Sequence, residues 1–139
     1  TVRTFDLPSR RRKRFLRKHV HSAQIDPVWG DLTKYTDVKT AVRSVDAVIH
    51  LGAIIPPLAD EQPELAYRVN VGGTRHLLQA LETTQSHIPF FYTSSISIYG
   101  DRRQDPLIKV SDPLTPGNHD EYGHQKLEAE RIVRASALP

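Results

Sequence analysis

Tyr122 and Lys126 lie four residues apart in the stretch YGHQK. On a helix that spacing sets both side chains on one face, within reach of each other. A phenol ionises near pH ~10 and is a poor base at neutrality. An ammonium beside it favours the phenolate, which makes proton exchange with an alcohol or ketone feasible. Upstream, YTSSISIYG at residues 92–100 places three serines just beyond an apolar run. A hydroxyl there, such as that of Ser95, would hydrogen-bond the same substrate oxygen. Each piece alone arises by chance in many chains; the combination points to chemistry.

These residues need a scaffold, and the hydrophobic pattern supplies one. Residues 2–6 and 25–29 read as short strands, 46–51 as a β-branched strand, and 88–93 as another, with His87-Ile88-Pro89-Phe90-Phe91 looking interior. Between them lie a basic helix or loop over 9–19 and a helix that Thr33 would cap, running to about 43. A long helix is expected over 60–82, with Leu65, Val69, Leu77 and Leu81 on its buried face and Pro63 in its first turn. Gly72-Gly73 inside it implies that something large presses on the backbone. A last helix covers 120–135. Strands apolar on both faces and alternating with helices indicate an α/β fold with a helix-covered parallel sheet. In such sheets ligands collect at the carboxyl ends of the strands. Asp6, Asp31, the run His50-Leu51-Gly52-Ala53 and Ser94-Ser95 are placed there. A carboxylate such as Asp6 accepts two hydroxyl hydrogen bonds and suits a ribose diol, or simply caps its loop. The loop over 100–119, rich in Pro and Asp, is long enough to be functional.

The bulk properties bound these readings. The 139 residues, 38% hydrophobic and 25% charged, make about one soluble domain. With no cysteine, disulfides and thiolate–metal sites are excluded, and a cytoplasmic protein without a metal is expected. No apolar stretch is long enough to span a membrane and no signal-peptide pattern opens the chain. Methionine is absent even at position 1, a strand pattern begins at Thr1, and the chain ends at Ala137-Leu138-Pro139 straight after a helix. A piece of a longer protein is the expectation. The net charge of +3 is concentrated in Arg10-Arg11-Arg12-Lys13-Arg14, with Arg17 and Lys18 behind. A polyanion-binding module is one reading of that run and a solvated helix face the other. Only Phe15 offers an aromatic platform, so no nucleic-acid partner is expected.

The stretches DAVIHLGA (46–53), NVGGT (70–74), FFYTSSISIYG (90–100) and YGHQKLEAE (122–130) occur in one order and cover nearly the whole chain. In them the sequence resembles the extended short-chain dehydrogenase/reductase family of NAD-dependent epimerases, dehydratases and reductases. The resemblance implies a Rossmann-type doubly wound parallel sheet of which residues 1–139 are the central part. The glycine-rich phosphate loop with its first strand, and the C-terminal substrate region, would lie outside the sequence, so the 139 residues alone are expected to bind cofactor poorly and to be inactive. It implies Ser95, five residues before the glycine of its YG pair, as the catalytic hydroxyl and Tyr122 as general acid/base. Lys126 would lower the Tyr122 pKa and hold the nicotinamide ribose, and Asn70 would steady the site. Asp6 would take the adenosine ribose, which suggests NAD over NADP, whereas Arg10 or Arg11 would meet a 2′-phosphate. Asp31 and Leu32 would contact adenine, and Leu51, Gly52 and Ala53 would run beside the cofactor. Gln125 replaces a frequent serine, a departure given little weight. Ile96 and Ser97 after Ser95 lack the acidic pair of dehydratases, which leaves an epimerase or another oxidoreductase. A nucleotide-sugar substrate, no membrane partner and a homodimer are the further implications. The rival is a non-catalytic cofactor-binding or scaffold protein of the same fold.

Overall fold

The computed structural model describes residues 1–19, 24–84 and 87–138. Strand β1 (Val2–Asp6) pairs in parallel with β2 (Ile25–Trp29), from Val2 opposite Ile25 to Asp6 opposite Trp29. Pro27 lacks a backbone N–H, and β2 sits at an edge, where that loss is tolerated. Between them runs α1 (Arg10–His19), the basic segment, which is helical throughout. Strands β3 (Val48–His50) and β4 (Phe90–Tyr92) form a second parallel pair, with Ile49 opposite Phe91. Both are shorter than the apolar runs around them because pairing lasts for three residues only. Among the described residues the two pairs do not hydrogen-bond to each other. Parallel pairing and α/β order agree with expectation; the sheet is split.

One core nonetheless underlies both pairs. Helix α2 (Tyr35–Ala41) and helix α5 (Gly73–Thr84) bury Val38, Val42, Leu77, Ala80 and Leu81 between them. Phe5 from β1, Val48 from β3 and Phe90 from β4 pack against that cluster. The alternate residues Ile49 and Phe91, one cross-strand pair, remain 68% and 59% exposed. Helices therefore cover one face of β3 and β4, and the expected second cover is not supplied by the described residues.

Three local readings are corrected. Thr33 does not cap α2. Lys34 occupies the cap without a side-chain bond, while the Thr33 hydroxyl donates to Asp31 Oδ1 at 2.8 Å. A carboxylate two residues back is the stronger acceptor, and it draws the threonine into the loop. The long helix is interrupted. Short helices α3 (Leu58–Glu61) and α4 (Pro63–Tyr67) are separated by Gln62, at φ −135° and ψ 64°. Proline crowds the residue before it out of the helical region, so Pro63 begins a new helix at its first position rather than continuing an old one. Then Arg68–Gly72 forms a π-helical turn leading into α5. Finally, the packing reason for two glycines holds for one. A Cβ on Gly73 would lie 3.0 Å from the Leu32 Cβ, whereas nothing lies within 4 Å of a Cβ on Gly72. The last helix, α6 (Glu121–Ala135), is where expected. Its N-cap Asp120 accepts a hydrogen bond from the Gly123 N–H at 2.7 Å.

Candidate active site

Lys126 lies on the inner face of α6, 5% exposed. Its ammonium donates to the carbonyl of Thr93, the residue after β4, and stands 4.2 Å from the centre of the Tyr92 ring. Burial pulls this ammonium down to about 8, against the opposing charge of Glu130. A cation over an aromatic face is held electrostatically as well as by its hydrogen bond. Burial, then the neighbouring Tyr122 and Glu130, push the Tyr92 hydroxyl well above the ordinary phenol range. Tyr92 is thereby kept neutral.

Tyr122 occupies the first turn of α6, partly buried, and among the described residues its hydroxyl has no hydrogen-bond partner. Lys126 is one helical turn away, but its ammonium is bound to Thr93 and not to Tyr122. Ser95 caps a 3₁₀ turn, Ile96–Tyr99, with its hydroxyl 3.2 Å from the Ser97 N–H and donating to Ser97 Oγ at 3.1 Å. Ser94 instead donates to the buried carboxylate of Glu130 at 2.5 Å. The two adjacent serines thus have different tasks: one ties β4 to α6 and the other starts a turn. An open hollow of about 540 Å³ is bounded by Ser95, Ile96, Tyr99 and Arg134. Tyr122 is not in its wall.

Asn70 is 2% exposed in the π-helical turn. Its Oδ1 accepts from the Ile54 N–H at 2.7 Å, and its Nδ2 donates to the Ile54 carbonyl at 2.9 Å and to Gln125 Oε1 at 2.8 Å. Its backbone carbonyl accepts from the Thr74 hydroxyl at 2.7 Å, and Thr74 Oγ1 lies 3.0 Å from His50 Nε2. Since the Thr74 proton is already committed to Asn70, His50 must carry its proton on Nε2. Burial first, then the charge of Lys126, pulls His50 down to about 4, so it is neutral. Sequence reasoning assigned no role to His50 and little to Gln125. The available signal was their placement: His50 is a polar residue in an apolar strand, and Gln125 stands next to Lys126 on the helix that carries Tyr122.

The cofactor-side candidates are more exposed. Asp6 accepts from the Leu7 N–H at 2.7 Å and pairs with Arg12 Nε at 2.7 Å. Asp31 Oδ1 accepts from the Thr33 N–H and hydroxyl, and the backbone bond leads in holding its carboxyl below the ordinary range. Leu32 is wedged between two glycines, since a Cβ on Gly52 would stand 2.8 Å from its Cδ1. Leu51 is 72% exposed, and Gly52 and Ala53 follow along an open strand end. A half-exposed carboxylate at one strand end and bare backbone at the next suit a ribose and a flat ring laid across them. Among the described residues no group of three or more His, Asp or Glu is placed to hold a metal ion, and no helix is long and apolar enough to cross a membrane.

Residues 2–138 match the NAD dependent epimerase/dehydratase family. The chain belongs to that family. It is 32% identical to the 3 beta-hydroxysteroid dehydrogenase/Delta 5-->4-isomerase of Mycobacterium tuberculosis over 117 residues, 81% of this chain and 31% of that protein. It superimposes with a TM-score of 0.75 on a short-chain dehydrogenase/reductase superfamily protein from Agrobacterium tumefaciens with bound NAD. Identity there is 30%, over 99% of this chain and 39% of the other. With the UDP-Glc/GlcNAc 4-epimerase from Campylobacter jejuni the TM-score is 0.80 and the identity 25%, over 95% of this chain and 40% of that one. These likenesses establish the Rossmann-type fold and membership of an enzyme family. The chain spans less than half the length of each of these three proteins.

Proposed function

We propose that this chain is the central part of the cofactor domain of an NAD-dependent epimerase or oxidoreductase acting on a hydroxyl or carbonyl substrate, with NADP the alternative cofactor. A nucleotide-sugar is the substrate we favour, on the likeness to the Campylobacter jejuni enzyme, and a homodimer the assembly. The observation that carries the reading is the buried Lys126 ammonium, fixed on Thr93 two residues before Ser95 and one turn along α6 from Tyr122. When bound, the nicotinamide supplies the hydride acceptor and donor. The Tyr122 oxygen takes the proton of the substrate hydroxyl as the carbon is oxidised, and returns it on reduction. Ser95, after releasing Ser97, donates to that same oxygen and holds it. Lys126 stabilises negative charge on Tyr122 across one helical turn and donates to a ribose hydroxyl. Asn70 touches none of these atoms; it positions the helix and the loop that carry them. Asp6, freed from Arg12, accepts from the adenosine ribose, with Asp31, Leu32 and residues 51–53 along the adenine and pyrophosphate side.

The test is Tyr122→Phe in the protein at its natural length, assayed with NAD and UDP-glucose. Turnover should fall at least ~1,000-fold while NAD affinity stays within about threefold, because only the proton-transfer group is removed. Retained turnover would remove Tyr122 from the chemistry, whereas the non-catalytic reading expects no turnover from the unsubstituted protein either.

A further inference from the structure

Gln125 sits between Tyr122 and Lys126 on α6, and only 4% of it is exposed. A buried primary amide has to find partners for its oxygen and its nitrogen. Its oxygen accepts from Asn70 Nδ2 at 2.8 Å, and its nitrogen reaches the Pro63 carbonyl at 3.4 Å. The orientation of this amide pair is not free. The Ile54 N–H needs an acceptor, which turns Asn70 Oδ1 toward Ile54 and Asn70 Nδ2 toward α6. Gln125 must then present its oxygen. The result is a fixed chain of bonds from the loop after β3, through the π-helical turn, to the helix that carries Tyr122 and Lys126.

That path is the buried tie between these elements; on the exposed side of α6, Glu128 also accepts from Tyr67 at 2.9 Å and from Arg75 at 2.8 Å. Apolar contacts are non-directional and tolerate sliding, whereas a bidentate amide–backbone pair followed by a second amide admits one register. A serine at position 125 would be two bonds too short to reach Asn70 in the same way. From these observations we infer that Gln125 is a positioning residue. It sets the rotation and height of α6 against the Ile54 loop, and so places the Tyr122 hydroxyl relative to substrate. This deepens the proposed function and rests on Tyr122 as the acid/base.

The experiment uses Gln125→Met at natural length, since methionine keeps the volume and removes both hydrogen bonds. Three readouts are taken: amide exchange at Ile54, the ring resonances of Tyr122 in tyrosine-labelled protein, and turnover of UDP-glucose with NAD. We expect Ile54 to exchange about tenfold faster or more, and the Tyr122 ring signals to broaden or move. We expect kcat to fall roughly 10- to 100-fold, with KM and NAD affinity within about threefold, as misplacement of a reacting group predicts. Unchanged Ile54 exchange together with unchanged Tyr122 signals would overturn the inference whatever the activity. So would a loss of KM alone. If the unsubstituted protein does not turn UDP-glucose over, the choice of substrate fails, and the exchange and ring signals still decide the role of Gln125.

Discussion

The two ends of this site are held by different physics. Around Asn70, polar groups are buried and paired: Asn70, Gln125, Thr74 and His50 are all at most 5% exposed, and each finds a partner in another. Around Asp6, the carboxylate and its partner Arg12 have side chains about half exposed, and the remaining arginines of α1 face outward. A buried network costs heavily when one member is lost, because the others are left without water or partner. An exposed pair exchanges one good solvent for another and contributes little. Rigid placement therefore belongs to the end proposed for catalysis, while the end proposed for adenosine keeps its charge exposed without fixing it.

That contrast is open to direct attack. The largest effect should come from Asn70→Leu, which leaves the Ile54 N–H and the Gln125 oxygen unpaired inside the protein. A loss of about 4 kcal/mol in urea unfolding is expected. A loss below ~1 kcal/mol would mean that the network is not what holds α6. Next comes acid. His50 has its pKa pulled from 6.5 to about 4. The unfolded chain therefore binds the proton first, and the contribution of neutral His50 to stability is present above pH 6.5. It is lost as the pH falls from 6.5 to 4, by roughly 3 kcal/mol. His50→Gln, which can still donate to Thr74, should flatten that part of the pH–stability curve; an unaltered slope would assign the acid sensitivity elsewhere. The smallest effect is predicted for Arg12→Gln at the exposed end, within about 0.5 kcal/mol of the unsubstituted protein and weaker still at high salt. A loss comparable to that of Asn70→Leu would erase the distinction between the two ends.

Much of the scaffold was readable because it depends on local rules. The strands Val2–Asp6 and Ile25–Trp29 stand at the residues expected, and Asp120 caps α6 through its own side chain. The break at Gln62 was also local, since Pro63 disfavours helix at the residue before it, but the apolar period across 60–82 outweighed that signal. The π-helical turn was not local. It accompanies side-chain bonds from Asn70 to Ile54 and Gln125, which are 16 and 55 residues away. The division of labour between Ser94 and Ser95 has the same character, since it depends on where Glu130 of α6 comes to rest. Likewise, the apolar pair Ile49 and Phe91 reads as buried from its residue types, and only its surroundings leave it exposed. Residue types told which groups belong at the strand ends; partners distant in sequence decided which of them are tied down.

The wedge made by Leu32 has a consequence for how this sequence can vary. Gly52 follows β3 and Gly73 opens α5, yet the space each leaves open is filled by the same side chain. Gly52 is therefore constrained by the length of that side chain, and Gly73 by the presence of any side chain there. A descendant that trims position 32 to alanine would release Gly52, which meets the leucine only at its far end, while Gly73 would still face the Cβ at position 32. Drift at positions 32 and 52, far apart along the chain, is bound to proceed as a pair.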